Sequence, residues 1–514
     1  MVQFLSAREA AELLRDDDTL ACSSFIVNVM PEAVLKAVGR RFEETGHPRN
    51  LTVIHASGVG GGEGRGLNFM AHEGLLKRVI AGHWNMTRQV GKLAAEEKIE
   101  AYNLPQGVIT HLYRDIAAGK VGTITHVGLL TFVDPRLDGG KINKRAQEDL
   151  VELVTLRGRE CLLYKSFPIT VCILRGTYAD ERGNITMEHE GLTLEAQAVA
   201  QATKNSGGTV IVQVDEVVKA GTLDPRLVKI PGIYVDAVVV PDPEDMPAAL
   251  GEQRSFYSGE TRAPASAFAP VALDERKIIA RRAAMELKEG AVVNLGVGMP
   301  EVVAQVAQEE GIGDYMTMVI EAGPVGGVPQ GGLHFGTSAN PEAILDQNAQ
   351  FDFFDGGGLD LAFLGLAEAD EDGNINVSKL GARITGAGGF INITQNAKQV
   401  VYCGTFTAKG LKIATGNGML SIVSEGSQRK FLKQVGHVTF SGRYARQVNQ
   451  PVMYITERAV FELRQDGMHL TEIAPGIDLH KDVLAHMDFA PVMLTPPKQM
   501  DARIFTDALM GLKQ

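Results

Sequence analysis

Three short stretches recur in the same order in the two halves of the chain, and this repetition constrains the fold more than any other feature. The triplet Met-Pro-Glu at 30–32 follows an apolar run at 20–26, and the same triplet at 299–301 follows the run 291–298. Both lead into Ala/Val/Leu-rich helical patterns, at 33–42 and 302–310. Thr-Val-Ile-His-Ala-Ser-Gly-Val-Gly at 52–60 matches Met-Val-Ile-Glu-Ala-Gly-Pro-Val-Gly at 318–326. Ala-Asp-Glu-Arg-Gly-Asn-Ile at 179–185 matches Ala-Asp-Glu-Asp-Gly-Asn-Ile at 369–375, each a turn after an apolar strand, 169–174 and 361–364. A shared strand–turn–helix grammar accounts for one such match. Three in sequence point to two copies of one α/β unit. The longer gap between the second and third match in the first copy implies an insertion there.

Apolar strands alternating with helical patterns predict the α/β class: two homologous, open, mostly parallel-sheet domains covered by helices on both faces. A length of 514 residues with 45% hydrophobic and 22% charged suits two to four domains with large cores. The expected division is an N-terminal domain at 1–240, a Pro-, Ser- and Gly-bearing linker at 241–272, and a C-terminal domain at 273–514. The last begins with a basic helix at 274–287, whose cations read as a solvated face or, second, as a docking patch for phosphate.

A net charge of -12 argues against a nucleic-acid or anionic-membrane surface, though a local site can still be positive. Cys22, Cys161, Cys172 and Cys403 have no paired spacing, and buried reduced thiols are expected at 22, 172 and 403. The N-terminal stretch is amphipathic and acidic, and no run reaches the length of a membrane span, so a cytoplasmic protein is expected. The twelve histidines form no ligand-spaced pattern, so no metal site is expected, and neither a Gly-x-Ser-x-Gly elbow nor a Walker loop is present.

The chemistry-bearing candidate is Glu321. It stands where an apolar strand, expected at 315–320, breaks into a loop with glycines at 323, 326, 327, 331 and 332. Such a loop can bring N–H groups close to a ligand; equally, a strand-end carboxylate can simply face water. A carboxylate is ionised at neutral pH but weakly nucleophilic, so it needs an activated acyl donor such as a thioester. The tetrahedral oxyanion then needs fixed donors, for which Gly298-Met299 and the Gly-Ala-Gly-Gly-Phe loop at 386–390 are candidates. Tight turns are the ordinary use of such glycines. The stretch Asn-Leu-Gly-Val-Gly-Met-Pro-Glu at 294–301 follows a strand and opens a helix, where phosphate settles. As an NAD fingerprint it lacks the third glycine, and Glu301 puts negative charge in the phosphate's path.

From about residue 5 to residue 512 the chain resembles the class I coenzyme A transferases, specifically the propionate/acetate CoA-transferase group. The resemblance is carried by Ala-Tyr-Asn-Leu-Pro-Gln-Gly at 101–107, Thr-Phe-Val-Asp-Pro-Arg at 131–136, the runs 292–300 and 319–327, Ala-Gln-Phe-Asp-Phe-Phe-Asp-Gly-Gly-Gly at 349–358, the 386–390 loop and Tyr-Ile-Thr-Glu-Arg-Ala-Val-Phe at 454–461. It implies Glu321 as the nucleophile that becomes a glutamyl-CoA thioester, in the C-terminal domain. It puts the Gln106 side chain near the reacting carbonyl, with a backbone N–H around Gly388 completing the oxyanion hole. A second Pro-Gln-Gly lies at 329–331, but the flanks of Gln106 fit the family pattern better. Gly296, Gly298, Met299, Gly386 and Gly389 are the expected CoA-binding residues.

The implied reaction is a ping-pong exchange of CoA between short-chain acyl-CoA (propionyl-CoA, acetyl-CoA) and short-chain carboxylic acids, with CoA as substrate and covalent intermediate and no permanently bound cofactor. A homotetramer or homodimer is implied. An acyl-CoA hydrolase, an NAD-dependent oxidoreductase and a non-enzymatic effector-binding module are the alternatives. The chain departs from some relatives in having Cys-Ser-Ser-Phe at 22–25 and His-Ala-Ser at 55–57. His55 occupies the repeat position that Glu321 fills in the second copy.

Overall fold

The computed structural model describes residues 2–62, 64–242, 254–264 and 271–513. Much of the expected 241–272 linker (243–253 and 265–270) lies outside the described residues; within it, Arg254–Ser258 forms a short helix. The described chain clusters into two units. One holds 1–262, 320–352 and 381–392; the other holds 263–319, 353–380 and 393–514.

The first unit is built on one sheet. Its strands, in spatial order, are Gln3–Leu5, Ala237–Val239, Thr209–Gln213, Val171–Arg175, Thr19–Cys22, Leu51–His55, Leu76–Ala81 and Glu100–Asn103. Every neighbouring pair is parallel. Val171–Arg175 is buried along its whole length, the continuous apolar run of a strand covered on both faces. The chain winds outward from Thr19–Cys22 through 51–55, 76–81 and 100–103, then returns to the opposite side of Thr19–Cys22 with Val171–Arg175 and winds the other way. That reversal is a topological switch point, where open α/β sheets leave a crevice beyond the strands' carboxyl ends.

The second unit repeats the winding. Ala291–Leu295 is flanked by Met316–Val319 on one side, and on the other by Leu361–Gly365, Val400–Cys403 and Val452–Ile455, all parallel. Ala459–Arg464 and Gly467–Ile473 then add antiparallel strands. The helices Glu32–Thr45 and Glu301–Glu309 follow the two Met-Pro pairs. The third sequence match is one turn made twice. Asp180 accepts the Asn184 N–H and side-chain amide at 3.0 and 2.9 Å, and Asp370 does the same for Asn374 at 2.9 and 3.1 Å. The insertion in the first copy contains strands 76–81 and 100–103 plus a small antiparallel sheet, Gly122–Thr125, Arg159–Lys165 and Val151–Leu156.

Two expectations are corrected. The strand before Glu321 is Met316–Val319, because Gly313–Tyr315 is a 3₁₀ turn. The basic helix, Glu275–Ala284, does not present a solvated cationic face, since Lys277, Arg281 and Arg282 are buried and only Arg276 is exposed, donating to the Gly298 carbonyl at 3.0 Å. Lys277 pairs with Glu309 at 2.6 Å and Arg282 with Glu472 at 2.7 Å, while Arg281 donates to the Thr506 carbonyl and, at 3.1 Å, to that of Ala508. Buried charges need such partners. Cys22, Cys172 and Cys403 are buried free thiols, as expected, and Cys161 is partly exposed. Among the described residues, no helix is long and apolar enough to cross a membrane.

Candidate active site

In the first unit, strand Glu100–Asn103 runs through Leu104 and Pro105 into the helix Gln106–Ala117. Pro105 caps that helix without a side-chain hydrogen bond. Its first N–H groups go instead to other segments: Gln106 N–H to the Gly388 carbonyl at 3.0 Å, Gly107 N–H to Asn392 Oδ1 at 3.1 Å. Gln106 is thus pinned by its backbone at the mouth of the sheet, with only 2% of its surface exposed. Its Nε2 is buried and, among the described residues, has no hydrogen-bond partner. An orphaned buried amide donor costs stability and marks a group held ready for something the resting protein does not supply.

The 386–390 loop closes against it. A Cβ placed on Gly388 would lie 3.4 Å from Gln106 Oε1 and 3.7 Å from His83 Cδ2. Gly386 has φ +79°, and a Cβ there would stand 2.8 Å from the Trp84 nitrogen, so both conformation and space require glycine. Gly388 donates its N–H to the Gly82 carbonyl at 2.7 Å, so that donor is already committed. The next residue differs: among the described residues, the N–H of Gly389 has no partner. Among the described residues, the loop's open N–H groups are therefore those of Gly386 and Gly389, on either side of the spent Ala387 and Gly388.

Glu321 belongs to the same unit and is 8% exposed. It begins a tight turn in which Gly323 N–H donates to the Ile320 carbonyl at 3.0 Å, while Ile320 N–H donates to Pro324 O at 3.0 Å. Gln350 Nε2 also donates to the Ile320 carbonyl, at 3.2 Å. Phe351, the next residue along, packs where a Cβ on Gly107 would come within 2.6 Å of its ring. One helical turn thus touches both the backbone before Glu321 and the residue after Gln106. The glycines at 323 and 327 serve the loop's own folding: a Cβ there would meet the carbonyls of Leu345 and Ala339 at 2.1 and 2.3 Å. The second Pro-Gln-Gly is occupied, since Gln330 Nε2 donates to the Val328 carbonyl at 2.8 Å.

Two imidazoles flank this arrangement. Burial pushes His83 down to about 4, with a smaller push from neighbouring His55. Burial likewise takes His55 to about 4, against the upward pull of its 2.6 Å contact with the Ser57 carbonyl. Both are neutral at physiological pH. The sequence reading passed over His83 and over Asn103, which is buried at the end of its strand. Asn103 lies inside the 101–107 motif, the one signal that singled out its surroundings.

Gly296, Gly298 and Met299 lie in the second unit. Gly296 donates its N–H to the Phe363 carbonyl at 2.8 Å, and Gly298 donates to the Glu301 carboxylate at 2.7 Å. Burial raises the Glu301 carboxyl, while Gly298 and Arg276 pull it back. The turn that a pyrophosphate would enter in the NAD reading is closed around its own glutamate.

The description "Coenzyme A transferase" fits the family model that matches residues 4–241. Over 521 residues the chain is 49% identical to the caffeate CoA-transferase of Acetobacterium woodii, covering 100% of this chain and 99% of that protein. It is 43% identical over 512 residues to the acetate CoA-transferase YdiF of Escherichia coli K12, covering 99% of this chain and 96% of that one. The crystal structure of the acyl-CoA transferase YdiF apoenzyme from Escherichia coli O157:H7 superposes with a TM-score of 0.94 at 42% identity, covering 99% and 97% of the two chains. The YdiF thioester complex with CoA gives a TM-score of 0.93 at the same identity, with the same coverage.

Proposed function

We infer the reaction from one premise: the chain belongs to the coenzyme A transferase family. It is a CoA-transferase. We propose that it exchanges CoA between a short-chain acyl-CoA, acetyl- or propionyl-CoA, and a short-chain carboxylate, by a ping-pong route through a thioester on Glu321. The Glu321 carboxylate adds to the acyl carbonyl. The tetrahedral oxyanion collapses by breaking the C–S bond, which leaves a mixed anhydride and CoA thiolate. The thiolate adds to the Glu321 carbonyl carbon, the first acid departs, and glutamyl-CoA remains. The second acid then runs the same steps backwards.

Every nucleophile and leaving group in this sequence is an anion, so no proton has to be moved. The neutral His83 and His55 suit such a site. What the chemistry requires is stabilisation of each oxyanion, and the proposal gives this to Gln106 Nε2 and the N–H of Gly389. One donor of this kind contributes roughly 10²–10³ in kcat. CoA binding is assigned to Gly386, Gly389 and Met299, while Gly296 and Gly298, whose N–H groups are taken, shape the backbone of the second unit. The division at 241–272, a cytoplasmic location and a homo-oligomer belong to the same proposal, supported by the repeat, the composition and the family.

The observation that carries this reading is the unpartnered, buried Gln106 amide against the Gly388 turn. The test is intact-protein mass after incubation with propionyl-CoA alone. A CoA-sized adduct is expected, destroyed by hydroxylamine and absent in Glu321→Gln. No adduct with any donor, or an undiminished adduct in Glu321→Gln, refutes the assignment. Steady CoA release without an acceptor acid would instead identify a hydrolase.

A further inference from the structure

One side chain ties together the segments that carry the proposed oxyanion donors, and it does so with both ends of a single amide. Asn103 is fully buried. Its Nδ2 donates to the Ala81 carbonyl at 2.6 Å and to the Gly82 carbonyl at 2.7 Å. Its Oδ1 accepts the N–H of Ala387 at 2.9 Å. The Gly82 carbonyl also takes the Gly388 N–H at 2.7 Å, and the Gly388 carbonyl takes the Gln106 N–H at 3.0 Å. The chain of bonds is therefore closed: Asn103 holds 82 and 387, 82 holds 388, and 388 holds 106. Farther along the same loop, Trp84 and Asn85 donate to the Thr385 carbonyl at 2.8 and 3.1 Å.

Among the described residues, the groups left without a partner after these bonds include His83 Nδ1, the Gly386 N–H and, taken here as the oxyanion donors, Gln106 Nε2 and the Gly389 N–H. These last two are bracketed by the held atoms. Gln106 is the residue whose backbone the loop grips, and Gly389 directly follows the two residues whose N–H groups are spent. Asparagine is the side chain this junction requires, because it must offer two N–H bonds to adjacent carbonyls and one acceptor to an amide. Aspartate of the same size would present oxygen to the carbonyls of Ala81 and Gly82. Leucine of similar volume would leave the Ala387 N–H unpaired and remove one of the donors that the Ala81 and Gly82 carbonyls accept.

We propose that Asn103 is the positioning residue of the oxyanion site, holding the Gly388–Gly389 turn against Gln106 so that the two open donors converge on one oxygen. This rests on the reading that Gln106 and Gly389 serve that oxygen. Asn103 itself touches neither substrate nor reacting atom, and it acts through the geometry of the other two. A displacement of about 1 Å in a catalytic constellation costs on the order of 10² in rate, and that is the loss expected here.

The test compares Asn103→Asp, Asn103→Leu and Gln106→Leu in the full-length enzyme, with propionyl-CoA as donor and acetate as acceptor. Each Asn103 variant is expected to lower kcat roughly 10²-fold while KM for propionyl-CoA stays within about threefold, with glutamyl-CoA formation in single turnover slowed to match. Coupling supplies the readout that a merely structural role would not move. In the Gln106→Leu background, Asn103→Asp should cost less than about tenfold, because the donor it positions is already gone. If kcat in the Asn103 variants stays within threefold of the parent, the inference fails while the oxyanion reading stands. The same holds if their losses multiply fully with that of Gln106→Leu, or if the loss lies in KM alone. If Gln106→Leu itself keeps full kcat, the oxyanion reading falls and takes this one with it. Should the Asn103 variants not fold, amide hydrogen exchange on the unaltered enzyme decides. The N–H groups of Ala387 and Gly388 must be protected, and exchange at open-loop rates overturns the clamp.

Discussion

Replacing Gln106 with leucine removes the unpartnered amide while nearly keeping the volume, and the two consequences should run in opposite directions. In the resting protein Nε2 is buried without a hydrogen bond, and a donor in that state costs about 1–3 kcal/mol. The backbone bond that holds the residue, from its N–H to the Gly388 carbonyl at 3.0 Å, does not depend on the side chain. Gln106→Leu should therefore leave stability unchanged or raise it, by up to about 1–3 kcal/mol. The same change removes one of the two proposed oxyanion donors, so kcat should fall roughly 10²–10³-fold, with KM for the acyl-CoA little altered because the ground-state carbonyl gains less from the donor than the oxyanion does. The assay is paired: steady-state kinetics with propionyl-CoA and acetate, and urea denaturation of the same preparation. A stability loss above about 1 kcal/mol would mean that the amide has a partner in the resting enzyme. A kcat loss under tenfold would mean that it does not serve the oxyanion. Either result refutes the reasoning.

Two further expectations follow from burial. The folded pKa of His55 and of His83 is depressed, chiefly by burial, to about 4, below the roughly 6.5 of an unfolded imidazole. Their contribution to stability is therefore fully present above about pH 6.5 and is lost as pH falls toward 4; His55→Phe should flatten that acid limb in denaturation measured from pH 7 to 4. Turnover should show no titration near pH 6.5, and an imidazole limb in kcat there would refute a neutral pair. In the second unit, Arg282→Met leaves Glu472 and Glu286 without their shared cation and should destabilise the protein by roughly 3 kcal/mol, at the low end for a broken buried pair because Glu472 keeps some solvent. Its kcat and KM should be unchanged at 25 °C; a catalytic defect without a stability loss would contradict the structural role given to that helix.

What the sequence made legible is what chain-local physics decides. The repeated strand–turn–helix pattern foretold two sheets wound alike, because burial on both faces leaves continuous apolar runs and each Met-Pro pair opens a helix. The Asp-x-x-Gly-Asn turns were visible for the same reason, since Asp180 and Asp370 bond residues four positions away. The basic helix misled because its partners come from far along the chain. Nothing near 281 says that the carbonyls of Thr506 and Ala508 will meet its guanidinium. The Gly388 donor misled in the same way, since its partner at Gly82 is over three hundred residues earlier. Asn103 was unreadable because its role is defined by residues on both sides of that gap. The motif around it singled out the place without giving the bond pattern.

On the proposed mechanism, the repeat also explains why one strand end carries the nucleophile and its counterpart does not. His55 and Glu321 hold matching positions in Val-Ile-His-Ala and Val-Ile-Glu-Ala. In the first copy the side chain ends as a neutral imidazole bonded to the Ser57 carbonyl, and the strand end lies beside Gly82, whose N–H donates to the His55 carbonyl at 3.1 Å. That strand end is the footing of the Gly82–Asn103–Gly388 clamp. A second carboxylate there would put a like charge near the proposed oxyanion site and oppose the stabilisation assigned to Gln106 and Gly389. Glu321, within 320–352, clusters in the same unit as that footing, whereas its strand Met316–Val319 belongs to the other unit. Duplication thus separates two demands that one strand end cannot meet together. On that reading, one copy supplies an uncharged scaffold for the proposed oxyanion donors, and the other supplies the proposed nucleophile.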